Sequence, residues 1–294
     1  MASLTAIIVN PRAGSRGGDP SRVATARRLA AATGRPIEVL VSEYPGHAVE
    51  LARRAVADGA RLVCAWGGDG TVNEVARTLV HTAVPLGVIP GGSGNGFARE
   101  LGLFNRPARA LDVALHGHER LIDAGELDGR LFVNLAGVGL DARIAALFNR
   151  RPRGRRGFWR YLTLGWRELL TYRPRRYELD VDGERVEAQA LMIVLANLRQ
   201  YGNGARIAPR AVPDDGRLDL VVVGVTSTLR AFLLTPRLFL GNVHRARGID
   251  TRHVTRVTIA SDAPLLCHAD GESFDGARTL VGTVRPRALR VKVR

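Results

Sequence analysis

Lysine is almost missing from this 294-residue chain. Lys292 is the only one, so nearly all of the 43 basic residues are arginines. That removes lysine chemistry away from the C-terminal end, and no G-x-x-x-x-G-K-[ST] phosphate loop occurs. Cysteine is scarce too: Cys64 and Cys267 cannot build a disulfide framework and match no zinc spacing. No apolar run approaches the ~20 residues that cross a bilayer. The first residues lack the basic lead and long apolar stretch of a secretory leader. A G-x-S-x-G nucleophile elbow is also absent, because Gly91-Gly92-Ser93-Gly94-Asn95 fails by one residue. The expectation is a cytoplasmic protein without a membrane span.

Glycine and positive charge are in excess. Glycine is 33 of 294 residues, above the usual ~7%. The net charge of +15 implies an anionic partner: nucleotide, nucleic acid or anionic membrane. A solvated arginine surface would give the same number. The length suits one large domain or two moderate ones.

The first 115 residues alternate strands and helices. Strands are predicted at Leu4–Val9, Ile37–Val41, Leu62–Trp66 and Leu86–Ile89. Helices are predicted near 20–33, at His47–Ala57 and Thr71–Val80, and near Phe97–Leu101. Repeated strand–helix units imply a parallel sheet covered on both faces. After about residue 120 the pattern becomes mostly strands. They are Leu121–Leu127, Leu131–Leu135, Tyr177–Val181, Val186–Leu195, Leu218–Val223, Val254–Ile259, Pro264–Ala269 and Leu289–Val293, with a hairpin turn at Asp182-Gly183. The fold class expected is α/β: an N-terminal α/β nucleotide-binding domain, residues 1–118, then an antiparallel β-rich domain, residues 119–294.

An insertion at about 143–176 carries eleven arginines against the single acid Glu168, a net +10 of the chain's +15. Trp159, Leu162, Trp166, Leu169 and Leu170 fall on one helical face within it. A basic amphipathic helix with tryptophan suits an anionic membrane interface. The same stripe could pack on the β domain with the arginines solvated, and both readings stay open.

The chemistry concentrates in loops. Gly67-Gly68-Asp69-Gly70-Thr71-Val72-Asn73-Glu74 follows a buried strand and opens a helix, with Thr71 and Glu74 spaced as a capping box. Consecutive glycines admit a phosphate to the backbone, and the helix N-terminus offers amide donors. A bare carboxylate at Asp69 would repel phosphate unless Mg²⁺ bridges the two. Pro90-Gly91-Gly92-Ser93-Gly94-Asn95-Gly96 is a second donor-rich loop, and Asn10-Pro11-Arg12-Ala13-Gly14 a third, where Arg12 can meet phosphate charge. Adjacent parallel strands would bring these loops to the sheet's C-terminal edge. Gly137-Val138-Gly139-Leu140-Asp141-Ala142 matches G-x-G-x-x-A, but no strand with an acid follows about 20 residues on. Asp214-Asp215-Gly216 reads as a turn or a cation site. Asp270-Gly271-Glu272 reads as a turn or as a general base with an orienting acid. His268 reads as a surface or supporting histidine.

Together these motifs, in this order, resemble the diacylglycerol kinase catalytic-domain family, which includes bacterial lipid kinases, sphingosine kinases and ceramide kinases. The resemblance covers nearly the whole chain, and GGDGT alone is shared with NAD kinases and phosphofructokinases. It implies a nucleotide domain and a β-rich domain with ATP and lipid meeting in a cleft. By position, Asn10, Arg12, Ser42, Gly67, Gly68, Asp69, Gly70, Thr71, Asn73, Gly92, Ser93, Gly94 and Asn95 would serve ATP, with Asp123 an acid near the site. Asp69 would act through Mg²⁺, Glu272 would be the base and Asp270 its supporting acid. A structural Mg²⁺ site would use Asp215 with the Val212 and Arg217 carbonyls. Gly96 stands where bacterial members often carry Asp, and Ser15-Arg16 stands where they often carry lysine.

The expected function is ATP-dependent transfer of the γ-phosphate to a hydroxyl of a diacylglycerol-type or sphingoid-type lipid, at an anionic membrane surface. No nucleic-acid partner is expected, and the oligomeric state, a homodimer included, is open. The alternatives are an NAD kinase, an NADP-dependent oxidoreductase built on Gly137–Ala142, and a nucleic-acid-binding protein.

Overall fold

The computed structural model describes residues 4–14, 18–92, 94–103, 106–150, 158–224 and 228–294, with 158–162 and 228–230 as backbone only. Two compact units emerge. One holds the chain up to Ile122 together with Arg287–Arg294; the other holds the described residues between Asp123 and Pro286.

The first unit runs β1 (Thr5–Val9), α1 (Ser21–Ala32), β2 (Ile37–Val41), α2 (His47–Ala57), β3 (Leu62–Gly67), α3 (Asp69–Leu79), β4 (Leu86–Pro90), α4 (Gly96–Glu100) and α5 (Pro107–His116). Its strands lie parallel in the order β2-β1-β3-β4, in registers such as Thr5 on both Ile37 and Leu62, and Trp66 on Ile89. Every residue of β1, β3 and β4 is buried, as expected of a parallel sheet covered on both faces. Ile7, Val9, Cys64 and Trp66 pack with Ala26 of α1 and Leu111 of α5. The intervening residues face the other way, where α2 and α3 pack on β1 and β3. The order places β1 and β3 side by side at a topological switch point, so the loops after β1, β3 and β4 share one edge. Helix α5, opened by Pro107 in its first turn, was not among the predicted elements.

The second unit begins within β5 (His118–Leu127) and continues with β6 (Arg130–Phe132), β7 (Leu135–Gly139), α6 (Leu140–Asn149), α7 (Phe158–Thr171), β8 (Arg175–Val181), β9 (Glu184–Ala190), β10 (Met192–Ala196), β11 (Leu218–Val223), α8 (Thr228–Leu240), β12 (Ile249–Val254), β13 (Arg256–Ala260), β14 (Leu266–Ala269), β15 (Glu272–Asp275) and the first part of β16 (Thr279–Val293). One sheet is antiparallel throughout, β12-β11-β10-β7-β14-β15. The other sets β16, β13, β8 and β9 antiparallel. Leu179, Ile193, Leu195, Leu220, Val257 and Ile259 fill the layer between them. Val194, Val221 and Val223 point to the opposite face, against Leu140, Ile144, Leu164 and Leu169 of α6 and α7.

Two predicted strands are each two strands. The run Val186–Leu195 breaks at Leu191, whose N–H donates to the Val223 carbonyl and whose carbonyl accepts from Leu140 N–H. The run Val254–Ile259 breaks at Thr255, whose N–H and hydroxyl donate to Asp182. In both, apolar alternation runs on because both sheets share one core, while the backbone changes sheet. Asp182-Gly183 is the expected hairpin, both residues at positive φ between β8 and β9. Helix α8 was not anticipated, and Pro236 lies inside it.

The stripe on α7 also divides. Leu169 is buried, whereas Leu170 is 65% exposed. Trp166 packs at a tilt against Phe232 of α8, ring centroids 5.5 Å apart, and donates to the Thr235 hydroxyl. Glu168 is spent on Arg143 at 2.6 Å. The side chains of Trp159 and Leu162 lie outside the described residues. No described helix is long and apolar enough to cross a membrane.

Candidate functional site

In the first unit the three loops are bound to one another. Asn10, just past β1, donates its side-chain N–H to the Thr71 hydroxyl at 2.9 Å, and its backbone N–H goes to Trp66 O at the end of β3. The Asn10 carboxamide oxygen accepts from Arg12 N–H, which shapes the turn and leaves the Arg12 side chain exposed. Gly91 N–H donates to Gly67 O at 2.7 Å. Gly68 and Gly92 touch backbone to backbone: a β-carbon on Gly92 would lie 2.6 Å from the Gly68 α-carbon. A side chain on Gly92 would collide with that backbone and one on Gly68 would be tight against the Gly92 α-carbon at 3.3 Å, so the two loops form one glycine-lined surface. Asn95, at φ 47°, closes the second loop by bonding both N–H and C=O of Gly92. Gly70 is exposed, and Gly94 is half-buried with its carbonyl accepting from Arg99. Ser42, buried at the end of β2, donates its N–H to Val9 O. Asn73 is buried in α3. Ser93 lies outside the described residues.

The expected capping box does not form. Helix α3 starts two residues early, at Asp69, with Gly68 as its N-cap. Thr71 is thus inside the helix and accepts from Asn10, and Glu74 reaches across to accept from Gly46 N–H at 3.2 Å. Two consecutive glycines allow the earlier start. Asp69 then sits in the first helical turn, where negative charge is favoured.

Asp69 also bridges the loops. Its carboxylate accepts from Phe97 N–H, in the first turn of α4, at 3.2 Å. Burial raises its pKa above the usual carboxylate value, and amides of Asn95, Gly96 and Phe97 pull the other way.

Arg22 gave no signal in the sequence. Itself buried on α1, it donates to Asn10 O at 2.6 Å, to Ala13 O at 3.2 Å and to Gly91 O at 3.0 Å. It thereby ties the first loop to the second. Burial lowers its pKa, but a guanidinium keeps its proton, so a positive charge lies beneath the loops.

In the second unit the residues predicted for chemistry fall into two groups. Asp270 and Gly271 form a two-residue turn at positive φ between β14 and β15. The Asp270 carboxylate accepts from Val133, Asn134 and Leu135 N–H at 2.9, 2.9 and 3.1 Å. Glu272 opens β15 and is exposed. Asn149, at the end of α6, donates to Gly271 O at 2.7 Å. His268 is not a surface residue. It is 2% exposed and faces Asp141 at 3.0 Å.

The second group is the turn before β11. Asp123, fully buried, accepts from Gly216 N–H at 2.7 Å, and its own N–H donates to Pro213 O. Asp215 accepts from Arg217 N–H. Val212 is 44% exposed. Asp219 is pushed up to about 6, chiefly by burial, with His253 opposing and Asp215 adding. Among the described residues no three His, Cys, Asp or Glu side chains converge as a metal cluster.

The G-x-G-x-x-A run is not a dinucleotide fingerprint. Strand β7 is antiparallel to both neighbours, β10 and β14, so no βαβ unit exists there. Gly137 is glycine for another reason: a β-carbon would lie 2.4 Å from the Asp141 carboxylate.

Comparison with known proteins identifies the family and the fold. Residues 5–127 match the family described as "Diacylglycerol kinase catalytic domain". Residues 134–293 match "YegS C-terminal NAD kinase beta sandwich-like domain". A "Probable lipid kinase YegS-like" from Pseudomonas fluorescens is 33% identical over 88% of this chain and 86% of its own. The chain belongs to the diacylglycerol kinase family of lipid kinases. A "Diacylglycerol kinase" from Mycobacterium tuberculosis is 35% identical over 82% of this chain and 79% of its own. A crystal structure of a diacylglycerol kinase from Bacillus anthracis has the same fold, with a TM-score of 0.75, 21% identity and coverage of 100% of this chain and 97% of that one. The α/β first unit and the antiparallel second unit are the architecture expected of a family member.

Proposed function

We propose that this family member is an ATP-dependent kinase transferring the γ-phosphate to a hydroxyl of a diacylglycerol-type or sphingoid-type lipid. One observation carries the reading: the glycine loops after β3 and β4 are clasped at Gly68 and Gly92, with Asp69 joining them. Residues 1–118 take ATP and residues 119–294 take the lipid.

Phosphoryl transfer is mainly positioning and charge neutralisation. The glycine loops and the N-terminus of α3 offer amides to the phosphates; Asn10, Thr71 and Asn95 fix the loop shape, and Ser42 and Asn73 stand beside it. Asp69 fits Mg²⁺, because it is a carboxylate in the first turn of α3 at the junction of two glycine loops of phosphate-binding type. Mg²⁺ takes one or two protein carboxylates plus phosphate oxygens and supplies charge neutralisation. Asp215 with the Val212 and Arg217 carbonyls is a donor set suited to a second, hydrated Mg²⁺. Glu272 accepts the proton of the lipid hydroxyl, and Asp270, pinned by three amides, holds the turn that carries it.

The test is label transfer from ATP, with Mg²⁺, to diacylglycerol, monoacylglycerol, phosphatidylglycerol, sphingosine, ceramide and an undecaprenol-type alcohol in mixed micelles. Label is expected in a diacylglycerol-type or sphingoid-type lipid. Label only in an NAD control would replace this reading with NAD kinase.

Membrane association belongs to the same proposal. Exposed Leu170 of α7 and Leu233, Phe239 and Leu240 of α8 accompany the arginine-rich segment. Arginines near an anionic surface contribute about 1 kcal/mol each. Vesicles containing anionic lipid should sediment the protein, and the combination Arg167→Gln, Leu233→Ser and Leu240→Ser should weaken that binding by at least about tenfold. Unchanged sedimentation would remove the α7–α8 surface as the docking face.

A further inference from the structure

The DGE turn is held on its other side by a buried pair that the reading above does not use. His268 lies on β14, three residues before Gly271. Gly271 N–H points at His268 Nδ1 at 3.3 Å, and His268 Nε2 lies 3.0 Å from an Asp141 carboxylate oxygen. An amide N–H only donates, so Nδ1 is the acceptor and the neutral ring carries its proton on Nε2, facing Asp141. Both side chains are almost fully buried, 3% and 4% exposed. Asp141 has its own supports. It stands in the first turn of α6, its other oxygen accepts from Ala142 N–H at 2.8 Å, and the Tyr201 hydroxyl lies 3.5 Å from the oxygen that faces His268. Gly137 is the residue that leaves room for it.

We infer that His268 is a positioning residue for Glu272. Asp141 fixes the tautomer and plane of the ring, and the ring fixes the Gly271 amide. Helix α6 therefore brackets the turn at both ends, through Asp141 and His268 on the N–H and through Asn149 on the carbonyl. The inference rests on the reading of Glu272 as the base. A turn between two short strands is a loose platform, and misplacing a reacting group by about 1 Å can cost on the order of 10²-fold in rate.

Two substitutions separate positioning from packing. The oxygen of His268→Asn sits where Nδ1 was and can still accept from Gly271, but its chain is too short to reach Asp141. The amide of His268→Gln reaches Asp141, but no acceptor stands opposite Gly271. Turnover should follow the first contact and stability the second. His268→Gln should lose on the order of 10²-fold in kcat with KM for ATP unchanged. His268→Asn should keep more turnover than His268→Gln while melting at a lower temperature. In ¹⁵N-histidine spectra of the wild-type protein, His268 should be the Nε2–H tautomer.

An Nδ1–H tautomer, or the same ranking of the two variants in kcat as in Tm, overturns the inference. Full turnover in His268→Gln with loss in Glu272→Gln also overturns it and leaves the base standing. Full turnover in Glu272→Gln with loss in His268→Gln removes the base and leaves His268 holding the turn.

Discussion

Glu272→Gln is expected to lower lipid phosphorylation by about 10²- to 10⁴-fold, the range that a positioned general base contributes. The substitution is nearly isosteric and removes only the ability to take a proton. Glu272 is exposed at the first residue of β15, and Asp270, His268 and Asn149 hold the turn that precedes it. Stability should therefore stay within about 0.5 kcal/mol of wild type, the usual range for such a surface change. ATP is assigned to loops of the first unit, so nucleotide affinity should not move. The pH–rate profile supplies the discriminating readout: the acid limb that a carboxylate base produces should disappear in the variant. Wild-type turnover with the limb intact would remove Glu272 from the reaction.

Much of the first unit was legible because its signals are local. Glycine pairs, Asn-Pro and short apolar runs mark loop and strand within a few residues, and parallel strands on both-face cover read as unbroken apolar segments. Adjacent parallel strands thus put the three loops at one sheet edge from sequence alone. What failed was also local physics with two solutions. Thr71 and Glu74 have capping-box spacing, but glycines at 67 and 68 let α3 start at Asp69, and the box residues took partners elsewhere. In the second unit, alternation with period two identifies strands but not sheets. It runs unbroken through Leu191 and Thr255 because the two sheets bury their side chains in a common core. The arginine-rich helix had the period of an amphipathic stripe, yet Leu169 and Leu170, neighbours in sequence, divide between core and surface.

The residues that hold the sites together were not legible. Arg22 is one arginine among many, and its three carbonyl partners lie 9, 12 and 69 positions away. Asp141 and His268 are 127 positions apart. Asp141 did sit within a motif, but the motif pointed to a dinucleotide, and only the antiparallel pairing of β7 excludes that. A spare glycine facing a carboxylate is a signal that exists only once the helix is placed.

Asp69→Asn is the second large effect expected, and its signature is opposite in activity and stability. The carboxamide oxygen can still accept from Phe97 N–H, so the junction between the two glycine loops should survive. The charge that would hold Mg²⁺ against the phosphates is lost, and turnover should fall by at least about 10²-fold, the scale of removing one electrostatic stabiliser. Stability should not fall with it. Burial raises the Asp69 pKa in the folded protein, so the native state binds this proton more tightly than the unfolded chain does. Stability from that group is therefore fully present below the unfolded pKa of about 4 and is lost as pH rises through the folded value. At neutral pH ionised Asp69 is a cost, and asparagine removes it. Thermal unfolding without nucleotide or Mg²⁺ should show Asp69→Asn melting at or above the wild-type temperature near pH 7, with the advantage shrinking toward pH 4. A variant that unfolds more easily at neutral pH would mean that Asp69 serves the loops before it serves the phosphates. Its lost activity would then be a folding effect.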